Sequence, residues 1–145
     1  VSHDGSRLYL DEPLFYDHWG AGYKVHAPGT PFDTLSMPEM AAEVGLLSRN
    51  VVVQGDDQTD NIQFGATIFM HSIGDQTLFG RLSNVEVKHA GQGFFLGRYA
   101  VHYHMVGSVD GSYVKDCAIH HSFNRAVAVH GVSDLLLDGN VVFDI

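Results

Sequence analysis

The sequence has few cysteines, few basic residues and no long apolar runs. Cys117 is the single cysteine among 145 residues, so no internal disulfide can form. No apolar run reaches the ~18 residues that a membrane-spanning helix requires, so the sequence predicts no membrane span. Lysine and arginine number 8 against 17 aspartates and glutamates. The resulting net charge of −9 argues against nucleic acid or an anionic membrane surface as a partner.

A short strand-like pattern recurs along the chain. Asn50 begins the run Asn-Val-Val-Val, and similar runs begin 34 residues later at Asn84, then 33 later at Cys117 and 23 later at Asn140. A repeat of about 20 to 30 residues, built from β-branched strands with no helical period, is typical of a β-solenoid. The sequence therefore predicts an all-β fold, a right-handed parallel β-helix of the pectin-lyase-like type. The alternative is an antiparallel sandwich with accidental spacing.

The residue that leads each run suggests a corner of the solenoid. Asparagine tolerates a left-handed backbone, and stacked amides can bond to one another between coils. We therefore expect Asn50, Asn84, Cys117 and Asn140 to occupy equivalent corners, with Cys117 as a small buried substitute. The alternating residues after them should face one core: Val51, Val53, Val85, Val87, Ile119, Val141 and Phe143.

The chain divides by pattern into two parts. Residues 1–42 are predicted to form a β-hairpin, with alternating residues around Leu8 and Tyr9, followed by an irregular lead-in. Residues 43–145 hold the repeats. The sequence begins at Val1 and ends at Ile145 within a strand-like run, so we expect a piece of a longer protein, truncated at the C-terminal end of the repeats.

Histidine is the most suggestive residue type for chemistry. The sequence has 10 histidines, concentrated after residue 70. Residues i and i+2 of a strand share a face, so His102 and His104 should project together, and stacking could bring His89 and His120 near them. Three imidazoles can bind a divalent transition metal, and one can act as a general acid or base. The alternative is that these histidines bond to backbone groups or carboxylates at strand ends. No HExxH motif occurs, so no cofactor is firmly implied.

Two arginines fall within the histidine-rich region. Arg98 and Arg125 could bind the carboxylate of a ligand, or could pair with Glu86 or Asp116. Acidic residues near predicted turns could hydrolyse glycosides as pairs, but aspartate is also a common turn former. No catalytic residue is therefore assigned. The candidate ligand-binding residues are Arg98, His102, His104, His120, His121, Arg125 and His130.

Several blocks resemble a known family. AEVGLLSRNVVVQGD (residues 42–56), KHAGQ (88–92), LGRYAVHYHMVG (96–107) and SYVKDCAIHHSFNRAVAVHG (112–131) resemble the β-helix region of the fibrocystin-L family. They are similar, more loosely, to the cell-migration-inducing and transmembrane hyaluronidases. GRY at 97–99 and NRA at 124–126 are nearer to fibrocystin-L.

The resemblance implies a large extracellular parent protein, either secreted or carrying a single membrane anchor. It implies a module that is structural or binds a carbohydrate or an extracellular protein. The alternative is that the module is part of a hyaluronan-cleaving glycosidase. In that branch the candidate catalytic residues belong to an upstream domain, so none can be transferred to this chain. Ala100 stands where the family usually has proline, and residues 57–63 stand where the hyaluronidases carry a longer, cysteine-bearing insert.

Overall fold

The computed structural model describes residues 2–3, 7–18, 20, 29, 42–73 and 78–145. The chain forms two compact units, Val1–Val44 and Gly45–Ile145. In the first unit, strand β1 (Ser2–His3) pairs antiparallel with β2 (Leu8–Tyr9), which is the predicted hairpin. Its turn at residues 4–6 lies outside the described residues.

The second unit consists of short strands and one turn of helix. Helix α1 (Thr59–Ile62) is four residues long. No helix in the described parts of the chain is long and apolar enough to cross a membrane. The strands are β3 (Val51–Gln54), β4 (Ile68–Met70), β5 (Arg81–Ser83), β6 (Val85–Lys88), β7 (Val101–Ser108), β8 (Tyr113–Lys115), β9 (Ala118–His120), β10 (Val127–Ser133), β11 (Leu136–Asp138) and β12 (Val141–Phe143).

These strands form three parallel sheets. The orders are β3-β6-β9-β12 in the first sheet, β4-β7-β10 in the second and β5-β8-β11 in the third. Strands that follow one another along the chain belong to different sheets, so each coil visits all three sheets before the next coil stacks on it. All strand pairs in these sheets are parallel. The predicted parallel β-helix is therefore confirmed, and the antiparallel sandwich is wrong.

The core is the column enclosed by the three sheets. Val87 and Ile119 of the first sheet, Val101 and Tyr103 of the second and Val114 of the third belong to one buried apolar cluster. The buried Tyr103 hydroxyl donates a hydrogen bond to the Gly80 carbonyl over 2.7 Å, as a phenol inside an apolar core requires. No single strand could bury its apolar face alone, so stacking of coils is what makes this core.

The predicted register is off by one residue between the second and third coils. The structure pairs Glu86 with Ala118, which places Val85 rather than Asn84 level with Cys117. Ala118 in turn pairs with Val141, and Ile119 with Val142. A shift of one residue moves a side chain to the opposite face of a strand. The predicted inward orientation of Val141 and Phe143 is therefore wrong, because Val142 continues the column of Ile119.

The corner lies one residue before the position predicted from Cys117 and Asn140. Asn84 (φ 55°), Asp116 (φ 52°) and Gly139 (φ 62°) have left-handed backbones and lie level with one another. Only glycine adopts this conformation freely, and asparagine and aspartate tolerate it best among the other residues. Cys117 and Asn140 follow the corner, and Cys117 is buried in the core.

The predicted single column of Asn50, Asn84, Cys117 and Asn140 is thus wrong, because it separates into two pairs. Asn50 lies level with Asn84, and Cys117 lies level with Asn140. The amides also do not bond to one another. The Asn140 side chain instead accepts from the Cys117 N–H at 3.0 Å and donates to the Val114 carbonyl at 2.7 Å. These bonds tie the start of the fourth coil, just before β12, to β8 and to the start of the third coil, just before β9.

The outer face of the first sheet is covered by the segment that leads into β3. The Arg49 N–H donates to a carboxylate oxygen of Glu86 at 2.9 Å, and the Arg49 side chain donates to the Asp116 carbonyl at 2.9 Å. A side chain at Gly45 would collide with Val141, which shows how closely the segment packs. Glu86 and Ala118 are therefore buried although they point away from the core.

The register predicts unequal costs for truncating two residues of one column. Ile119→Ala should lower the free energy of unfolding by about 2–5 kcal/mol, because Ile119 is fully buried between two coils. Val142→Ala should cost less than about 1 kcal/mol, because Val142 is 46% exposed. Urea titration of both variants measures the difference. Equal losses would contradict the placement of Ile119 in the centre of the column.

Candidate ligand and metal site

The structure separates the histidines into two groups. His102, His104 and His130, here called the strand cluster, lie on the outer face of the second sheet. His89, His120 and His121, here called the corner cluster, lie at the ends of β6 and β9 in the first sheet. The prediction that His102 and His104 project together is confirmed. The prediction also groups them with His89 and His120, which is wrong, because the structure places these two on the first sheet.

The strand cluster follows from the register of β7 and β10. His130 pairs with His104, and Ala128 pairs with His102. The small Ala128 leaves space above His102, so the three rings meet with centroids 5.1 Å (His102–His104), 5.0 Å (His104–His130) and 6.5 Å (His102–His130) apart. One ring nitrogen from each histidine lies within 4.8 Å of the other two.

His102 is the most buried member, with 2% of its surface exposed. Its Nδ1 lies 2.9 Å from the Gly97 carbonyl, which can only accept, so Nδ1 carries the proton. Its Nε2 is buried without a hydrogen-bond partner in the described part of the chain. Burial lowers the pKa of His102, and the neighbouring His104 and His130 lower it further against the opposing effect of the Gly97 bond. The ring is therefore neutral at pH 7.

His104 lies at the centre of an aromatic group. Its ring centroid is 5.7 Å from Phe69 and 5.5 Å from His71. Nδ1 of His71 is 3.3 Å from the His104 carbonyl, which fixes His71 beside it. Nδ1 of His104 is buried and has no partner among the described residues. The cluster thus contains two buried ring nitrogens that lack hydrogen bonds, His102 Nε2 and His104 Nδ1.

A cavity of about 600 Å³ opens over the strand cluster. The Arg125 guanidinium lies 5.2 Å from the centroid of the Tyr99 ring, and its Nη1 donates to the Tyr99 hydroxyl at 3.4 Å. No carboxylate pairs with Arg125 within the residues described. The lining residues are Leu96, Gly97, Tyr99, His102, His104, Arg125, Val127, Ala128, Val129 and His130.

Neither Arg98 nor Arg125 forms an ion pair with Glu86 or Asp116, the alternative partners considered for them. Glu86 binds the Arg49 N–H and lies 3.1 Å from the Lys88 ammonium. The Asp116 carbonyl accepts from Arg49. Arg98 is exposed and does not line the cavity, although its loop does. Of the two predicted arginines, only Arg125 lies at the site.

One wall of the cavity is the loop between β6 and β7. Asn124 donates through its side-chain amide to the Gln92 carbonyl at 2.9 Å and to the Phe95 carbonyl at 3.1 Å, which holds the loop to the next coil. Sequence reasoning did not identify Leu96 and Tyr99 as site residues. Their position beside Arg98 was the only feature of the sequence that pointed to the site, because nothing in the local pattern shows that this loop folds back over the sheet.

The corner cluster has a different physical origin. His89 (φ 45°) and His121 (φ 47°) have left-handed backbones and lie level with Asp144 (φ 51°), so they form the second corner of the first sheet. Histidine is one of the few residue types enriched in this conformation. His89 also pairs through Nδ1 with Asp60 at 2.8 Å. These histidines match the strand-end alternative, and His89 is not part of the strand cluster.

His120 is buried between its neighbours in the corner cluster. Its Nδ1 lies 2.7 Å from His121 Nδ1. Its Nε2 lies 3.3 Å from Glu86 Oε1, which is within ion-pair distance but not aligned for a hydrogen bond. Burial lowers the pKa of His120, and this outweighs the attraction of Glu86. Burial opposes ionisation of Glu86, but hydrogen bonds from the Arg49 N–H and from Lys88, together with the charges of Lys88 and His120, lower its pKa overall.

Comparison with known proteins places this architecture in a family. The family model described as CEMIP beta-helix matches residues 63–145. The chain is 36% identical over its whole length to mouse fibrocystin-L and 35% identical to human fibrocystin-L. It is 37% identical over 73% of its length to the human protein named cell surface hyaluronidase CEMIP2. The chain spans 4% of the length of either fibrocystin-L and 9% of the length of CEMIP2.

The lowered pKa of His120 predicts a loss of stability on acidification. An unfolded histidine has a pKa near ~6.5. Because the folded value is lower, the unfolded chain binds more protons below that pH, and stability falls by at most about 1.4 kcal/mol per pH unit for each such histidine. His120→Gln should make the dependence of unfolding free energy on pH shallower between pH 7 and 5.5. Denaturant titration at several pH values measures this slope.

The control for this prediction is His18→Gln. His18 is exposed and lies in the other unit, so its replacement should leave the slope as it is. Glu86 does not confuse the measurement, because its lowered pKa matters only below its ordinary value of 4.5. If His120→Gln left the slope unchanged, the burial argument for His120 would fail.

Proposed function

Because the chain belongs to the CEMIP beta-helix family, we propose that it is a β-helix module of a large extracellular protein and that it binds a carbohydrate. The module is a small part of each relative, and one relative carries the name cell surface hyaluronidase. The observation that carries the proposal is the cavity on the second sheet, with Tyr99 and Arg125 in its wall and three imidazoles in its floor.

The composition of the cavity favours an acidic sugar. Its volume of about 600 Å³ lies within the range common for small-ligand sites. The Arg125 guanidinium is held against Tyr99 and is not neutralised by a described carboxylate, so it is available to a ligand. Guanidinium groups bind carboxylates in a fixed two-pronged geometry. A uronic acid unit within a glycan chain supplies such a carboxylate together with hydroxyls for the imidazoles.

The charge of the whole chain limits how such a ligand can bind. A net charge of −9 repels a polyanion at long range. Recognition therefore depends on the local contact at Arg125 and not on general electrostatic attraction. We expect modest affinity and a preference for a short stretch of glycan that fits the cavity.

Cleavage of a glycan is the second candidate, and the family relationship motivates it. Most glycosidases place two carboxylic acids on either side of the bond that they break. The described residues that line the cavity supply imidazoles, a phenol and a guanidinium, and none is aspartate or glutamate. We therefore propose binding as the role of this surface.

The test is titration with size-defined hyaluronan oligosaccharides, which carry uronic acids, beside neutral oligosaccharides of N-acetylglucosamine. Arg125→Gln should weaken binding of the acidic series by about 10- to 100-fold, since a hydrogen bond to a charged group contributes about 1.5–3 kcal/mol. Isothermal calorimetry measures the Kd, and melting curves establish that the variant remains folded.

Arg98→Gln is the matched control, because Arg98 is exposed on the loop that forms one wall of the cavity but does not itself line the cavity. It should change the Kd less than threefold. Equal weakening in both variants, or equal binding of acidic and neutral sugars, would contradict recognition of a carboxylate by Arg125. Shortening of the hyaluronan during incubation would favour the cleavage alternative.

A further inference from the structure

We propose that His102, His104 and His130 bind a zinc ion, with an open coordination position that faces the cavity. This inference goes beyond glycan binding and does not depend on it. The three histidines come from adjacent coils, and one nitrogen from each lies within 4.8 Å of the others. Zinc–nitrogen bonds of about 2.0–2.1 Å in tetrahedral geometry require nitrogens roughly 3.4 Å apart. Binding therefore requires the rings to rotate toward one another, and His130 is the exposed member of the three.

His102 is oriented as a metal ligand. Histidines that bind metals usually donate their other ring N–H to a carbonyl or carboxylate, which fixes the ring and its tautomer. Nδ1 of His102 donates in this way to the Gly97 carbonyl at 2.9 Å. The lone pair on Nε2 is then free, and this atom is buried with no hydrogen-bond partner among the described residues.

The second buried nitrogen without a hydrogen bond strengthens the case. His104 Nδ1 is also buried and lacks a partner in the described structure. Buried polar atoms are nearly always satisfied in native proteins, so two such atoms in one group of three histidines require an explanation. A metal ion satisfies both at once, because each nitrogen can donate its lone pair to the metal.

The donor set selects the kind of metal. All three donors are imidazoles, and no described carboxylate belongs to the group. Imidazole nitrogen suits zinc, copper and nickel, whereas calcium and magnesium prefer oxygen. Three protein ligands leave one tetrahedral position vacant, as in sites where zinc also holds water or a substrate. Tyr99 and Arg125 line the same cavity, so an oxygen ligand at that position would lie near both.

The experiment is titration of the metal-free chain with Zn²⁺, without any sugar, by calorimetry in competition with a chelator. We expect one equivalent to bind, and Co²⁺ in its place to give the visible absorption of a tetrahedral site. His130→Gln should weaken Zn²⁺ binding at least about 10-fold. This figure is conservative, because loss of a hydrogen-bond partner of a metal ligand already lowers metal affinity by about 10- to 100-fold. His130 is exposed, so this variant should fold normally.

His104→Gln should weaken Zn²⁺ binding by a similar factor. His121→Gln, in the corner cluster, is the matched control, and this variant should bind Zn²⁺ as the unmodified chain does. The proposal would be overturned if the chain did not bind Zn²⁺ or if binding survived in the His130→Gln and His104→Gln variants. An equal loss of binding in the His121→Gln variant would overturn it as well. A response to Ca²⁺ but not to Zn²⁺ would also overturn it. Because sugar binding is measured separately without zinc, failure of one proposal leaves the other open to its own test.

Discussion

The parallel register between coils is the constraint on which the rest of this structure depends. Stacked strands lie ~4.8 Å apart, so the register decides which side chain lies above which. Bonds between coils maintain it through the irregular segments as well, for example from the His89 N–H to the His121 carbonyl at 3.0 Å and from the Ala100 N–H to the Arg125 carbonyl at 3.1 Å. The core column, the corners and both histidine clusters all follow from this alignment.

The register also creates buried polar groups outside the core. Alternation along a strand directs every second residue outward, and two sheets have chain segments packed over that outer face. Glu86 and His120 lie on the outer face of the first sheet, and His102 lies on that of the second under the loop that contains Gly97. Burial of polar groups is unfavourable unless they are bonded. Glu86 is stabilised by the Arg49 N–H and the Lys88 ammonium, whereas His102 keeps one nitrogen unsatisfied.

The sequence was sufficient for the fold because the repeat carries a strong local signal. β-Branched runs at regular spacing specify stacked parallel strands, and period-two alternation places His102 and His104 on one face. The register between Asn84 and Cys117 could not be predicted from residue matching, because the loops between corners differ in length and the left-handed corner falls on Asp116. Tyr99 was harder still, because its place at the site depends on a loop folding back over a sheet. His130 was already a candidate, but its position beside His104 depends on pairing across 26 residues.

Histidine abundance in this chain therefore has two separate causes. His89 and His121 occupy corners where the backbone is left-handed, and their rings bond to or stack on close neighbours. His102, His104 and His130 lie on flat strands, where backbone conformation places no demand for histidine. Other residue types would fill those outward positions without leaving buried nitrogens unsatisfied. The zinc ion proposed above would satisfy those nitrogens, and composition alone could not have separated this group from the corner residues.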